Sequence, residues 1–135
     1  MVTYVLDSSA ILRYLHSQAG SDRVEEIMKE HVAGNCEVMI SGPHWGEVAG
    51  ITCKLYGRRE MEQVFSRLDA FGFRVVAADG DRSVRSALIK VKTGIPYVDS
   101  FAVELAGGTD RVLVTADFDF KPASRDVAIE FLPAK

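Results

Sequence analysis

Two apolar runs in this chain break off into carboxylates. Val112–Phe120, VLVTADFDF, ends in Asp117 and Asp119, and Thr3–Ala10, TYVLDSSA, reaches Asp7 in the same way. Two further acids follow chain breakers. Glu47 comes after Ser41-Gly42-Pro43, in the first turn of a helix that Pro43 is placed to open, and Asp99 lies in the first turn of a helix beginning near Pro96. Each acid alone has an ordinary explanation, since Asp is favoured at N-caps, first turns and Asx-turns, where it complements the helix dipole. As a group they are harder to dismiss, because like charges in one cleft repel and raise one another's pKa unless a cation holds them. Carboxylate oxygens without Cys or closely spaced His select Mg2+ or Mn2+ over Zn2+. A hard cation in an open carboxylate site neutralises a phosphate and lowers the pKa of a bound water; a second ion about 4 Å away also stabilises the leaving oxygen. That combination is the chemistry of phosphodiester hydrolysis.

The elements that must position these acids are legible from period and composition. Thr3–Leu6, Val38–Ile40, Phe73–Ala78, Val112–Thr115 and Val127–Leu132 are short β-branched or aromatic runs, which predict five strands. Helical patterns cover Ala10–His16, Val24–Val32, Glu47–Tyr56, Arg59–Phe71, Arg82–Lys92 and Tyr97–Ala106. Val64, Leu68 and Phe71 recur at helical spacing, as do Val84, Leu88 and Val91, and each set predicts one buried helix face. Glycine and proline punctuate the junctions at Gly34, Gly42-Pro43, Gly57, Gly72, Gly94, Pro96 and Gly107-Gly108. Strands apolar on both faces and alternating with helices predict an α/β fold, a three-layer α/β/α sandwich on a mostly parallel five-stranded sheet. In such sheets ligands bind at the carboxyl ends of the strands, the edge on which Asp7, Glu47, Asp99 and Asp117 can converge.

A chain of 135 residues with 47% hydrophobic content predicts a single domain, 1–135, with a true core. Met1–Leu6 is too short for a secretory leader and no apolar run approaches the roughly 20 residues of a membrane span, so a cytoplasmic protein is expected. Cys36 and Cys53 have neither C-x-x-C spacing nor the framework of a small secreted domain and read as reduced thiols. The net charge of −3 argues against a generally nucleic-acid-coating surface, but Lys54–Lys92 carries +4 and the remainder −7. A solvated basic helix face accounts for this, and an anionic partner is the alternative.

The order D-S-S-A at Asp7–Ala10, then Glu47, then P-x-x-D-S at Pro96–Ser100, then V-T-A-D-x-D-F at Val114–Phe120 resembles the PIN-domain nucleases, and closely the VapC-like toxins of toxin–antitoxin pairs. The resemblance runs from Thr3 to about Phe131. It implies an endoribonuclease dependent on one or two Mg2+ or Mn2+ ions, usually a homodimer, inhibited by a cognate antitoxin whose C-terminal segment blocks the active-site groove. Carried over by position, it makes Asp7, Glu47 and Asp99 the core metal ligands and Asp117 the fourth acid. Asp119 is left between a second metal, a loop contact and simple exposure. Ser8 and Thr115 become hydroxyls that orient the ligands or the water. Asp79 also follows a strand, but the resemblance gives it no role and D-G-D-R-S reads as a turn and N-cap.

Around this set, Arg13, His44, Lys90 and Lys92 are candidates for RNA phosphate contacts. Against them stand an incidental loop position for His44 and favourable placement of the lysines near a helix C-terminus. Two other folds share acids at strand ends. A receiver-like signalling module needs an acidic pair after its first strand and a Lys after its fifth, where this chain has a lone Asp7 and Pro133-Ala134-Lys135. A Toprim-like metal domain needs a Glu after its first strand.

Overall fold

The computed structural model describes residues 1–134. Its elements in chain order are β1 (Thr3–Leu6), α1 (Ser8–Leu15), α2 (Ser21–Val32), β2 (Glu37–Ser41), α3 (Gly42–Tyr56), α4 (Arg58–Asp69), β3 (Arg74–Val76), α5 (Gly80–Thr93), α6 (Tyr97–Ala106), β4 (Arg111–Thr115), a 3-10 helix (Phe118–Ala123) and β5 (Ile129–Phe131). The strands form one sheet in the order β3-β2-β1-β4-β5. All four pairings are parallel, with Leu6 opposite both Ile40 and Val114.

Side chains alternate across the strands, so each strand feeds two cores. Leu6, Val38, Ile40 and Val114 pack against Ala10, Ile11, Val24, Ile27, Met28, Val48, Val64 and Leu68 from α1 to α4. Val5, Met39 and Leu113 point the other way, onto Ala102, Val103, Leu105 and Ala106 of α6 and onto Phe120 and Ala123 of the 3-10 helix. Helices therefore cover both faces, the three-layer α/β/α arrangement that the apolar strands required.

The structure corrects several boundaries and one face. The sheet is wholly rather than mostly parallel. β3 and β5 shrink to three residues each because they are edge strands with one neighbour. α3 begins at Gly42, since the Ser41 side chain caps it by accepting from the His44 N–H and Pro43 sits in its first turn, which leaves Glu47 in the second turn. The Phe118–Ala123 helix has too few residues to show a period. Val64 and Leu68 of α4 are buried, but Val84, Leu88 and Val91 of α5 are 62%, 63% and 84% exposed. α5 instead turns Ser86 and Ile89 inward and joins α6 through the Arg82–Glu104 ion pair. With α6 already over that side of the sheet, α5 lies outboard and its apolar stripe faces solvent.

Candidate active site

Helices leave the carboxyl ends of β1 and β2 almost at once, so the N-termini of α1 and α3 sit at the same sheet edge, with the positive ends of their dipoles toward it. Asp7 is the N-cap of α1 and Asp117 caps the 3-10 helix. Asp99 lies in the first turn of α6, brought there by Gly94, whose φ of +79° closes α5 in a conformation that favours glycine. The ordinary capping roles of these acids are thus real, and they gather the acids rather than disperse them.

The most ordered part of the site lies between β1 and β4. Asp7 is 2% exposed. Its Oδ1 accepts from Ser9 Oγ at 2.7 Å and the Ala10 N–H at 3.0 Å, and its Oδ2 accepts from Thr115 Oγ1 at 2.6 Å. Thr115 Oγ1 in turn accepts the Asp117 N–H at 3.0 Å, and Ser9 Oγ accepts the Ala116 N–H at 2.8 Å. Two hydroxyls therefore link the amides leaving β4 to the carboxylate leaving β1. Burial pushes the Asp7 carboxyl above the usual carboxylate range, and the hydrogen bonds from Thr115, Ala10 and Ser9 oppose that rise without cancelling it.

Toward solvent, Ser8 Oγ donates to Glu47 Oε1 at 3.0 Å. His44 Nε2 lies 3.3 Å from Asp99 Oδ1 and 4.0 Å from Glu47 Oε1. Asp117 Oδ1 accepts the Asp119 N–H at 2.9 Å, and the Asp119 side chain itself lies exposed in the first turn of the 3-10 helix. Asp7 and Asp117 are thus joined through Thr115, and His44 Nε2 lies within 4.0 Å of both Glu47 and Asp99. The four acids are not in mutual contact: among the described residues no three acid, histidine or cysteine side chains are close enough together to hold one ion. The donor set is nonetheless that of a hard cation, oxygen throughout, and Glu47, Asp99 and Asp117 are each tethered through one oxygen with the second left over.

The basic residues stand elsewhere. The Arg13 guanidinium, expected at RNA phosphates, donates instead to the carbonyls of Ala19, Pro133 and Ala134, which ties α1 to the chain beyond β5. His44 is fully buried and cannot reach a phosphate. Lys92 pairs with Asp126, and Lys90 stays exposed on α5. Sequence reasoning missed Ser9 and Ser41; an S-S pair beside Asp7 and a Ser three residues before His44 are the only traces they leave. A cleft of about 1070 Å³ between the α1–α2 turn and α4 is lined by residues such as Tyr14, Gln18, Glu25, Arg67 and Phe71, and by none of the four acids.

Comparison with known proteins agrees with this architecture. A model of the PIN domain matches residues 4–125, and the chain belongs to the PIN-domain family. Solved structures of similar fold include VapBC2 from Rickettsia felis bound to a fragment of its promoter DNA (15% identity, 96% of this chain and 98% of that chain, TM-score 0.70). DNA-bound VapBC from Salmonella typhimurium is also similar (16% identity, 97% and 98%, TM-score 0.72). So is VapC20 from Mycobacterium tuberculosis, described as a toxin that cleaves the sarcin–ricin loop (14% identity, 96% and 99%, TM-score 0.68). No curated protein matches the sequence. Family membership sets aside the receiver-like and Toprim-like readings. Among the described residues, no helix is long and apolar enough to cross a membrane.

Proposed function

We propose that this protein is a Mg2+- or Mn2+-dependent endoribonuclease, the toxin of a toxin–antitoxin pair acting on RNA in the cytoplasm. The observation that carries the reading is the set of four carboxylates, delivered by four separate segments to one edge of a parallel sheet and each held by a group of its own. PIN-domain membership and the toxin complexes among the similar structures support the same conclusion.

In this mechanism Asp7, Glu47, Asp99 and Asp117 would hold the ion, and Asp119 would be the candidate for a second. A hard cation bound there would supply phosphate neutralisation and a water of lowered pKa. The protein contributes position. Thr115 and Ser9 fix both oxygens of Asp7, so the most buried ligand has no rotational freedom to lose. Glu47, whose side chain is 43% exposed, is held by Ser8 through Oε1, which leaves Oε2 free for an ion. Helix N-termini offset the mutual repulsion of the acids before the ion arrives.

The partners follow from the same reading. Similar structures from Rickettsia felis and Salmonella typhimurium are VapBC complexes, which supports a cognate antitoxin for this chain. The exposed α5 stripe of Val84, Leu88 and Val91 supports a homodimer, since a monomer rarely leaves an apolar helix face in water. Incubation of a mixed RNA pool with purified protein, in Mg2+, Mn2+ or EDTA and with Asp7→Asn alongside, tests the activity. Cleavage that needs metal and vanishes in the variant is the expected result; cleavage indifferent to both overturns it.

A further inference from the structure

His44 is fully buried in the first turn of α3 and bonded at both ring nitrogens. Nδ1 lies 2.7 Å from Ser41 Oγ, Nε2 lies 3.3 Å from Asp99 Oδ1, and the His44 backbone N–H reaches the same Ser41 Oγ at 3.1 Å. The directions of these bonds are fixed by what each atom can do. An ionised Asp99 only accepts, so Nε2 carries the hydrogen. A neutral imidazole has one N–H, so Nδ1 accepts, and the donor facing it is the Ser41 hydroxyl. That oxygen keeps a lone pair for the His44 amide. Every hydrogen then has one acceptor, in a chain running from the start of α3 to Asp99. A doubly protonated ring would send two N–H groups to Ser41 Oγ and leave its hydroxyl hydrogen without an acceptor among the described bonds, at a residue only 2% exposed.

We infer that His44 is a positioning residue: Ser41 locks its ring as the Nε2–H tautomer, and that N–H holds Asp99 Oδ1 so that the second oxygen faces the cleft. The tautomer stands on hydrogen bonds alone; the role of Asp99 as ligand rests on the nuclease reading above. Partners behind a ligand typically change metal affinity 10- to 100-fold when removed.

Nitrogen NMR of the metal-free protein at pH 8 tests the first half. A protonated-type shift at Nε2 and an unprotonated-type shift at Nδ1 are expected; the reverse tautomer, or two protonated nitrogens, overturns the inference. Mn2+ calorimetry tests the second half. His44→Gln offers an amide N–H near the position of Nε2, whereas His44→Asn offers one near Nδ1. The Asn variant is expected to lose at least tenfold in Mn2+ affinity and the Gln variant only a few-fold. Equal losses, or none, overturn the inference while the nuclease stands. Wild-type protein that neither binds Mn2+ nor cleaves RNA fails the nuclease reading, and the NMR result then decides the tautomer by itself.

Discussion

Asp7 and the outer face of α5 depart from the usual distribution of residues in opposite senses. One is a carboxyl buried to 2% exposure in a chain where most acids are solvated; the other is a row of aliphatic side chains left in water. Buried charge and exposed hydrocarbon both cost stability in the isolated chain. Neither cost is relieved inside the molecule. Asp7 has three hydrogen bonds and its pKa still rises, and α5 packs on α6 through other residues. What the two regions share is a cost that, on the function proposed above, a cation would offset in one case and the apolar surface of a second copy in the other.

The sharpest way to break this comparison is to remove the charge of Asp7. If the buried carboxylate exists for a cation, Asp7→Asn lowers the RNA cleavage rate by about a thousandfold, since losing a metal contact forfeits several kcal/mol of transition-state stabilisation and each 1.4 kcal/mol is tenfold. If the α5 face is the seam of the proposed homodimer, Leu88→Glu with Val91→Glu is expected to shift sedimentation equilibrium from dimer to monomer, with Kd raised at least about a hundredfold, because each aliphatic side chain buried there is worth roughly 1.5 to 3 kcal/mol. The melting temperature of the resulting monomer stays close to that of the diluted wild type.

Smaller effects separate the two needs. On the proposed function, Mn2+ at about a hundred times its Kd is expected to stabilise the wild type by about 2.7 kcal/mol, seen as a rise in Tm that Asp7→Asn abolishes and the α5 variant keeps. The smallest effect has the least intuitive sign. The folded pKa of Asp7 lies above its ordinary 3.8, so between the two values the folded state binds more protons than the unfolded one. The Asp7 contribution to stability therefore falls as pH rises through that window. In EDTA at neutral pH, Asp7→Asn is expected to raise Tm. A lower Tm for the variant would mean that the three hydrogen bonds outweigh desolvation.

The sheet and its acids were legible in the sequence because both depend on local signals: β-branched runs, helix periods, and carboxylates placed just after them. Asp7, Glu47, Asp99 and Asp117 each follow a strand end or sit in an early helix turn, as those signals require. What was not legible depends on distant chain. A helical period identifies the apolar face of α5 but not whether this molecule or another covers it. Arg13 beside an acidic motif reads as a phosphate contact, yet its carbonyl partners at Pro133 and Ala134 lie some 120 residues away. His44 reads as a loop histidine until Asp99, 55 residues on, is brought against its ring.

The parallel sheet has one further consequence. β1 finds β4 across about a hundred residues, and Asp7 meets Thr115 across 108. Contacts between residues so distant in sequence form late. A chain being synthesised from its N-terminus carries Asp7, Glu47 and Asp99 without an organised site until β4 has been made. The fold thereby leaves Asp7 without its Thr115 partner, and β1 without one of its two neighbours, until β4 has been made.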